Sequence, residues 1–162
     1  LAIAGDSAGG GLALATTLRL RELGLPLPAA LVLFSPWVDL GEPDRGPEPK
    51  GEVMVSLPWV DECARAYLGG RPATDPLASP IHGDLRGLPD VLVQVGTDEI
   101  LLQDSRRLHS ALAQAGVAVS YQEYPRRWHV FQSNAGVLAD ADRALGAVAR
   151  FMRERWERPL SP

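Results

Sequence analysis

Ser7 lies in the hexapeptide Gly5-Asp6-Ser7-Ala8-Gly9-Gly10, the stretch of this chain whose residue types could do chemistry. A serine hydroxyl attacks a carbonyl only when a histidine takes its proton and a carboxylate holds that histidine. The flanking glycines suggest a turn tight enough to lift the hydroxyl clear of its surroundings. Side chains at Gly5 and Gly9 are expected to collide across such a turn. The first free N–H group beyond the serine, that of Ala8, could donate to a developing oxyanion. A bare Gly-x-Ser-x-Gly is a short motif. Phosphate-binding loops are excluded more firmly, because the G-x-G-x-x-G spacing and the Gly-Lys-Ser/Thr of a Walker loop are both absent.

The elements around Ser7 suit a raised nucleophile. Residues Leu1 to Gly5 read as a buried strand, and Ala8 to Leu23 as a helix with Leu12, Ala15, Leu18 and Leu23 on one face, capped by Gly24. Residues 30–34 form a continuous apolar run, as in a strand covered on both faces. Residues 35–52 hold four prolines and three glycines and read as a loop. Ser56 can cap a helix running to about Leu68. Residues 75–89 are a second loop and 91–95 a third strand. A helix capped by Asp104 runs through Ala115, and 117–124 alternates as a half-buried strand. The last helix spans about Asn134 to Trp156, with Ala141, Leu145, Val148 and Met152 inward. Strands alternating with helices predict an α/β fold with a mostly parallel sheet. The long excursion at about 37–70 is expected to contribute cap or lid material.

Strand ends and chain order then select partners for Ser7. In open parallel sheets, functional groups gather at the carboxyl ends of strands. Where a strand–Gly-x-Ser-x-Gly–helix elbow carries the nucleophile, acid and histidine follow it in that order. His82 comes before the third strand, and His109 falls within a helix. His129, just after the fourth strand, has the right place and order. Asp98 follows the third strand and is the expected acid. Its neighbour Glu99 is read as a rim or structural residue, Asp104 as the helix cap, and Asp90 as lying at the opposite end of the sheet.

These residues resemble the hormone-sensitive-lipase-like esterases, bacterial family IV of the α/β-hydrolases, marked by Gly-Asp-Ser-Ala-Gly-Gly. The resemblance extends through Ser35-Pro36-Trp37-Val38-Asp39-Leu40, Asp75-Pro76-Leu77-Ala78-Ser79-Pro80, Gly96-Thr97-Asp98-Glu99-Ile100-Leu101 and His129-Val130-Phe131. It implies Ser7 as nucleophile, Asp98 as acid and His129 as base. It also implies hydrolysis of short-acyl esters or lactones through an acyl-enzyme, with no metal or cofactor. Trp37, Val38 and Leu40, with Trp59, are expected to line the substrate pocket, and Val130 and Phe131 to border it. Two departures stand out. The family's His-Gly-Gly-Gly oxyanion loop, the strands before the elbow and the N-terminal cap have no counterpart, so residues 1–162 are expected to be the C-terminal half of such a catalytic domain. Arg126-Arg127-Trp128 also replaces the smaller turn common before the histidine. Other readings are a small-ligand-binding module without turnover, and an amidase or prolyl-oligopeptidase-like peptidase.

Composition sets the remaining bounds. Over 162 residues, 46% are hydrophobic and 22% charged, as in an ordinary globular domain. A net charge of −4 argues against a nucleic-acid partner. No apolar run reaches the length of a membrane span. The lone Cys63 excludes an internal disulfide and fits a cytoplasmic location. A homodimer through the last strand and helix is expected by resemblance.

Overall fold

The computed structural model describes residues 1–41 and 46–156. Residues 42–45 of the expected 35–52 loop lie outside the described residues. Four strands form one parallel sheet in chain order: β1 (Ile3–Asp6), β2 (Ala30–Phe34), β3 (Asp90–Gly96) and β4 (Val119–Tyr124). The register pairs Asp6 with Phe34, Phe34 with Gln94 and Gly96 with Tyr124, so the carboxyl ends lie along one edge.

Alternation along the strands divides the core into two layers. Leu31, Leu33, Val91 and Val93 face Leu14 and Leu18 of α1 (Ala8–Glu22) and Leu108 and Leu112 of α3 (Leu102–Gln114). Ala30, Val32 and Leu92 face Phe151 and Met152 of α4 (Ala139–Trp156). β2 and β3 are covered on both sides, which explains their unbroken apolar sequences. β4 is half-buried along its whole length, as befits an edge strand. Among the described residues no strand pairs with the second edge of β1.

Three details differ from the periodicity reading. In α1, Ala13, Leu14 and Leu18 point inward while Leu12 and Leu23 are exposed. The first eight residues of the helix are all glycine, alanine or leucine, so spacing alone could not choose its inner face. α4 begins at Ala139 rather than about Asn134, because residues Phe131–Asn134 form a separate 3₁₀ turn; Leu145 lies toward solvent and Ala144 inward. α3 begins at Leu102, with Asp104 inside its first turn. Asp104 is fully buried and accepts hydrogen bonds from the N–H groups of Val38 and Asp39, both at 3.2 Å. It therefore ties the loop after β2 to α3 instead of capping the helix.

The described part of the long excursion folds over the carboxyl edge of the sheet. Its helix α2 (Leu57–Leu68) brings Val60 and Ala64 against Trp37, Ile100 and Leu101. Gly69 ends it in the left-handed conformation, φ 54°. No described helix is long and apolar enough to cross a membrane.

Candidate active site

Ser7 sits between β1 and α1 with φ 53° and ψ −123°, a region non-glycine residues rarely adopt. Backbone hydrogen bonds impose this conformation. The Ser7 N–H donates to the Phe34 carbonyl at 2.9 Å, and the Ser7 carbonyl accepts from Trp37 at 2.9 Å and Gly10 at 3.0 Å. A Cβ on Gly5 would overlap the Gly9 carbonyl, so glycine at Gly5 is obligatory. A Cβ on Gly9 would meet only Asp6 Oδ1, at an unstrained 4.0 Å, contrary to the collision expected there; the crowding falls on Gly10 and Gly11, which pack against Pro36 and the Trp37 carbonyl. Ala8 opens α1, where first-turn N–H groups have no partner within the helix.

His129 follows β4 and is 4% exposed. Its Nδ1 lies 3.2 Å from Oε1 of Glu99, a carboxylate 2% exposed in the loop after β3. The other Glu99 oxygen, Oε2, accepts from the Gly96 N–H at 2.8 Å and from the Ser35 hydroxyl at 2.7 Å. The carboxylate paired with His129 is thus Glu99, where Asp98 was expected. Asp98, one residue earlier, has other neighbours. Its carboxylate accepts from the Thr97 hydroxyl at 3.1 Å and fills the space where a side chain on Gly51 would stand. With Glu99 as acceptor, His129 carries its proton on Nδ1 and keeps a lone pair on Nε2.

The loop carrying His129 is stitched to the end of β3. The Asp98 N–H donates to the Arg127 carbonyl at 2.9 Å, and the Arg126 N–H to the Thr97 hydroxyl at 2.8 Å. Gly96 passes so close to the Arg127 carbonyl that a Cβ would overlap it. The unusual Arg126-Arg127-Trp128 turn is accommodated outward: Arg127 pairs with Asp140 at the start of α4, and Trp128 packs on the Phe131 cluster. Among the described residues, the four non-glycine residues with positive φ are Ser7, Ser35, Arg126 and Val130, at 53°, 46°, 57° and 52°. All lie on this edge, so the described backbone strain concentrates where Ser7 and His129 are held.

A cavity of about 370 Å³ opens beside Ala8, walled by Trp37, Leu40, Cys63, Ala66 and Tyr67. Trp37 and Leu40 stand where expected. Val38 does not: it is fully buried in the core beneath α1 and α3. Phe131 is also fully buried, packed with Ala141 and Ala144 below the His129 loop. Val130 contributes its backbone, which donates to the Ser35 hydroxyl at 3.2 Å. Trp59 is exposed and borders a different depression, with Glu48, Glu52 and Met54. The walls from α2 were not legible from spacing, and neither was Ser35. Its position at a strand end, one residue beyond β2, was the available signal.

The remaining histidines are accounted for. His109 stacks on Tyr121 with ring centroids 4.5 Å apart, on the outer side of β4. His82 Nε2 lies 3.4 Å from Asp39, within a group that joins Asp39, Arg107 and Asp104. Asp90 meets Arg155 at the opposite end of the sheet, as expected. Among the described residues, no three or more His, Cys, Asp or Glu side chains are grouped to hold a metal ion.

Comparison with known proteins agrees with this fold. Residues 1–133 match the model of a family described as having the alpha/beta hydrolase fold. The chain is 42% identical over 153 residues to an acetyl-hydrolase of Streptomyces hygroscopicus, covering 93% of this chain and 51% of that protein. It is 39% identical over 154 residues to an esterase of Acinetobacter venetianus, covering 92% and 50%. Among solved structures, EstE5 superposes with a TM-score of 0.93 at 38% identity, over 98% of this chain and 54% of EstE5. An esterase of the bacterial hormone-sensitive lipase family superposes at 0.89 and 39% identity, over 95% and 52%. The chain thus spans about half the length of the relatives it matches. With its elbow, its parallel sheet and these likenesses together, the chain belongs to the α/β-hydrolase fold family and, within it, to the group of hormone-sensitive-lipase-like esterases.

Proposed function

We propose that the protein containing this chain is a carboxylic-ester hydrolase in which Ser7 is the nucleophile, His129 the general base and Glu99 the carboxylate that orients it. The observation that carries this reading is the buried Glu99–His129 pair, on the same sheet edge as a serine held in a strained strand-to-helix turn. Ser7 attacks the ester carbonyl as His129 Nε2 takes its proton. Glu99 holds the tautomer and stabilises the imidazolium that forms. His129 then protonates the leaving alcohol, and water repeats the sequence on the acyl-enzyme to release the acid. The Ala8 N–H is one donor to the oxyanion, and a complete hole needs at least one more from an earlier loop.

The cavity beside Ala8 is small and almost wholly apolar, which suits a short acyl or alcohol group, and the acetyl-hydrolase relative supports short-acyl substrates. Lactones fit the same chemistry. Residues 1–162 are read as the C-terminal part of the catalytic domain, with α2 contributing to the cover over the site. A homodimer is proposed through β4 and α4, and a cytoplasmic location is the one the lone half-buried Cys63 favours. The test is hydrolysis of p-nitrophenyl acetate, p-nitrophenyl butyrate and a matching anilide by the full-length protein and its Ser7→Ala variant. The expected result is ester turnover, slower anilide turnover, and a loss of about 10⁴-fold or more in Ser7→Ala. An unchanged rate in the variant would remove Ser7 from the mechanism.

A further inference from the structure

The acid and the histidine loop share a partner that lies on neither of their elements. Ser35 is fully buried one residue past β2, and its N–H donates to the Gln94 carbonyl at 2.7 Å. Its hydroxyl donates to Glu99 Oε2 at 2.7 Å and accepts from the Val130 N–H at 3.2 Å. One hydroxyl therefore uses its single proton and one lone pair to join the carboxylate to the residue after His129. Both backbones at this junction are strained: Ser35 has φ 46° and Val130 φ 52°, and a β-branched residue at such an angle is a clear outlier.

The neighbours of Ser35 hold the nucleophile. The Phe34 carbonyl accepts the Ser7 N–H, and Trp37 donates to the Ser7 carbonyl. Pro36 packs against Gly10. Residues 34–37 thus touch the elbow, the acid and the histidine loop in one short stretch.

We infer that Ser35 is a positioning residue for the reaction proposed above, on which this inference rests. Its hydroxyl fixes the rotation of the Glu99 carboxylate, so that Oε1 faces His129, and anchors the histidine loop through Val130. Without it, Oε2 keeps one donor, Gly96, and the carboxylate can turn. Ser35 does not touch the reacting atoms, so the consequence falls on kcat.

The test is a double-mutant cycle in the full-length protein on p-nitrophenyl butyrate, with wild type, Ser35→Ala, Glu99→Gln and the double variant. A hydrogen bond to a charged group predicts that Ser35→Ala lowers kcat about 10–100-fold with KM changed less than about 2-fold. In the Glu99→Gln background the same substitution is expected to cost less than about 3-fold, because the carboxylate it positions is gone. Ser35→Gly removes the hydroxyl while relieving the positive φ, so an equal kcat deficit in a folded Ser35→Gly separates positioning from backbone strain. Wild-type kcat in Ser35→Ala, a change in KM alone, full additivity in the cycle, or unfolding of both Ser35 variants overturns the inference. Ester turnover that survives Ser7→Ala instead overturns the underlying reading.

Discussion

Adjacent carboxylates after β3 have opposite surroundings. Asp98 is half-exposed beside Gly51, whereas Glu99 is buried with both oxygens engaged. A buried carboxylate persists only where donors replace its hydration, and Gly96, Ser35 and His129 supply them. Glu99→Gln is therefore expected to lower kcat by about 10²–10⁴-fold, since a neutral amide neither selects the Nδ1 tautomer nor stabilises the imidazolium. Asp98→Asn is expected to stay within about 3-fold of wild type. Steady-state kinetics on p-nitrophenyl butyrate distinguishes them, and a reversed order would return the role to Asp98. The residue type and the strand end were legible in the sequence. Which of two neighbours turns inward was not, because that depends on the loop's path past Arg127 and on the extra methylene of glutamate.

Elements hold these residues through a few long-range polar links. The loop after β2 is joined to α3 by Asp104 and Arg107, and α3 to the outer strand by Arg106 and Glu123 at 2.7 Å. The Arg106 guanidinium, helped by the Tyr121 hydroxyl, holds the Glu123 carboxyl below its usual range. The stabilisation from this pair is present above the ordinary glutamate pKa and fades as pH falls through the lowered folded value. The pair is partly exposed, so its worth is under about 1 kcal/mol. Thermal melts of wild type and Glu123→Gln are expected to differ slightly at pH 7 and to converge as pH falls through the lowered carboxyl range; a gap that widened on acidification would contradict this assignment. Strands β2 and β3 were readable because two-sided burial leaves an unbroken apolar signature. The inner face of α1 was not, because its first eight residues are all glycine, alanine or leucine and give no contrast between its sides.

For the molecule as a whole, β1 matters most. It leads directly into the turn that holds Ser7, yet among the described residues it pairs on one side alone, with β2. An unpaired strand edge with Leu1 and Leu12 exposed nearby is a template for further pairing. Residues 1–162 expressed alone are expected to self-associate in a concentration-dependent way and to hydrolyse p-nitrophenyl butyrate at least about 10²-fold more slowly than the full-length protein, having one identified oxyanion donor. Light scattering and kinetics on the same sample check both parts. A monodisperse monomer with full turnover would show that the edge and the oxyanion hole need nothing more.

The sequence by itself already determined the elbow and the sheet that positions it. Gly5-Asp6-Ser7-Ala8-Gly9-Gly10 marks a strained strand-to-helix turn, alternating strands and helices impose a parallel sheet, and such a sheet brings Ser7 and His129 to one edge because every strand ends there. These conclusions rest on local sterics and chain order, which sequence records directly. Tertiary structure decided which carboxylate meets His129, which side chains wall the cavity beside Ala8 and what links Glu99 to the histidine loop: Glu99 over Asp98, α2 residues over Val38 and Phe131, and Ser35 between Glu99 and Val130. Each depends on which side chain a neighbouring element leaves room for, or leaves in need of a hydrogen-bond partner, and that information exists only once distant segments have packed.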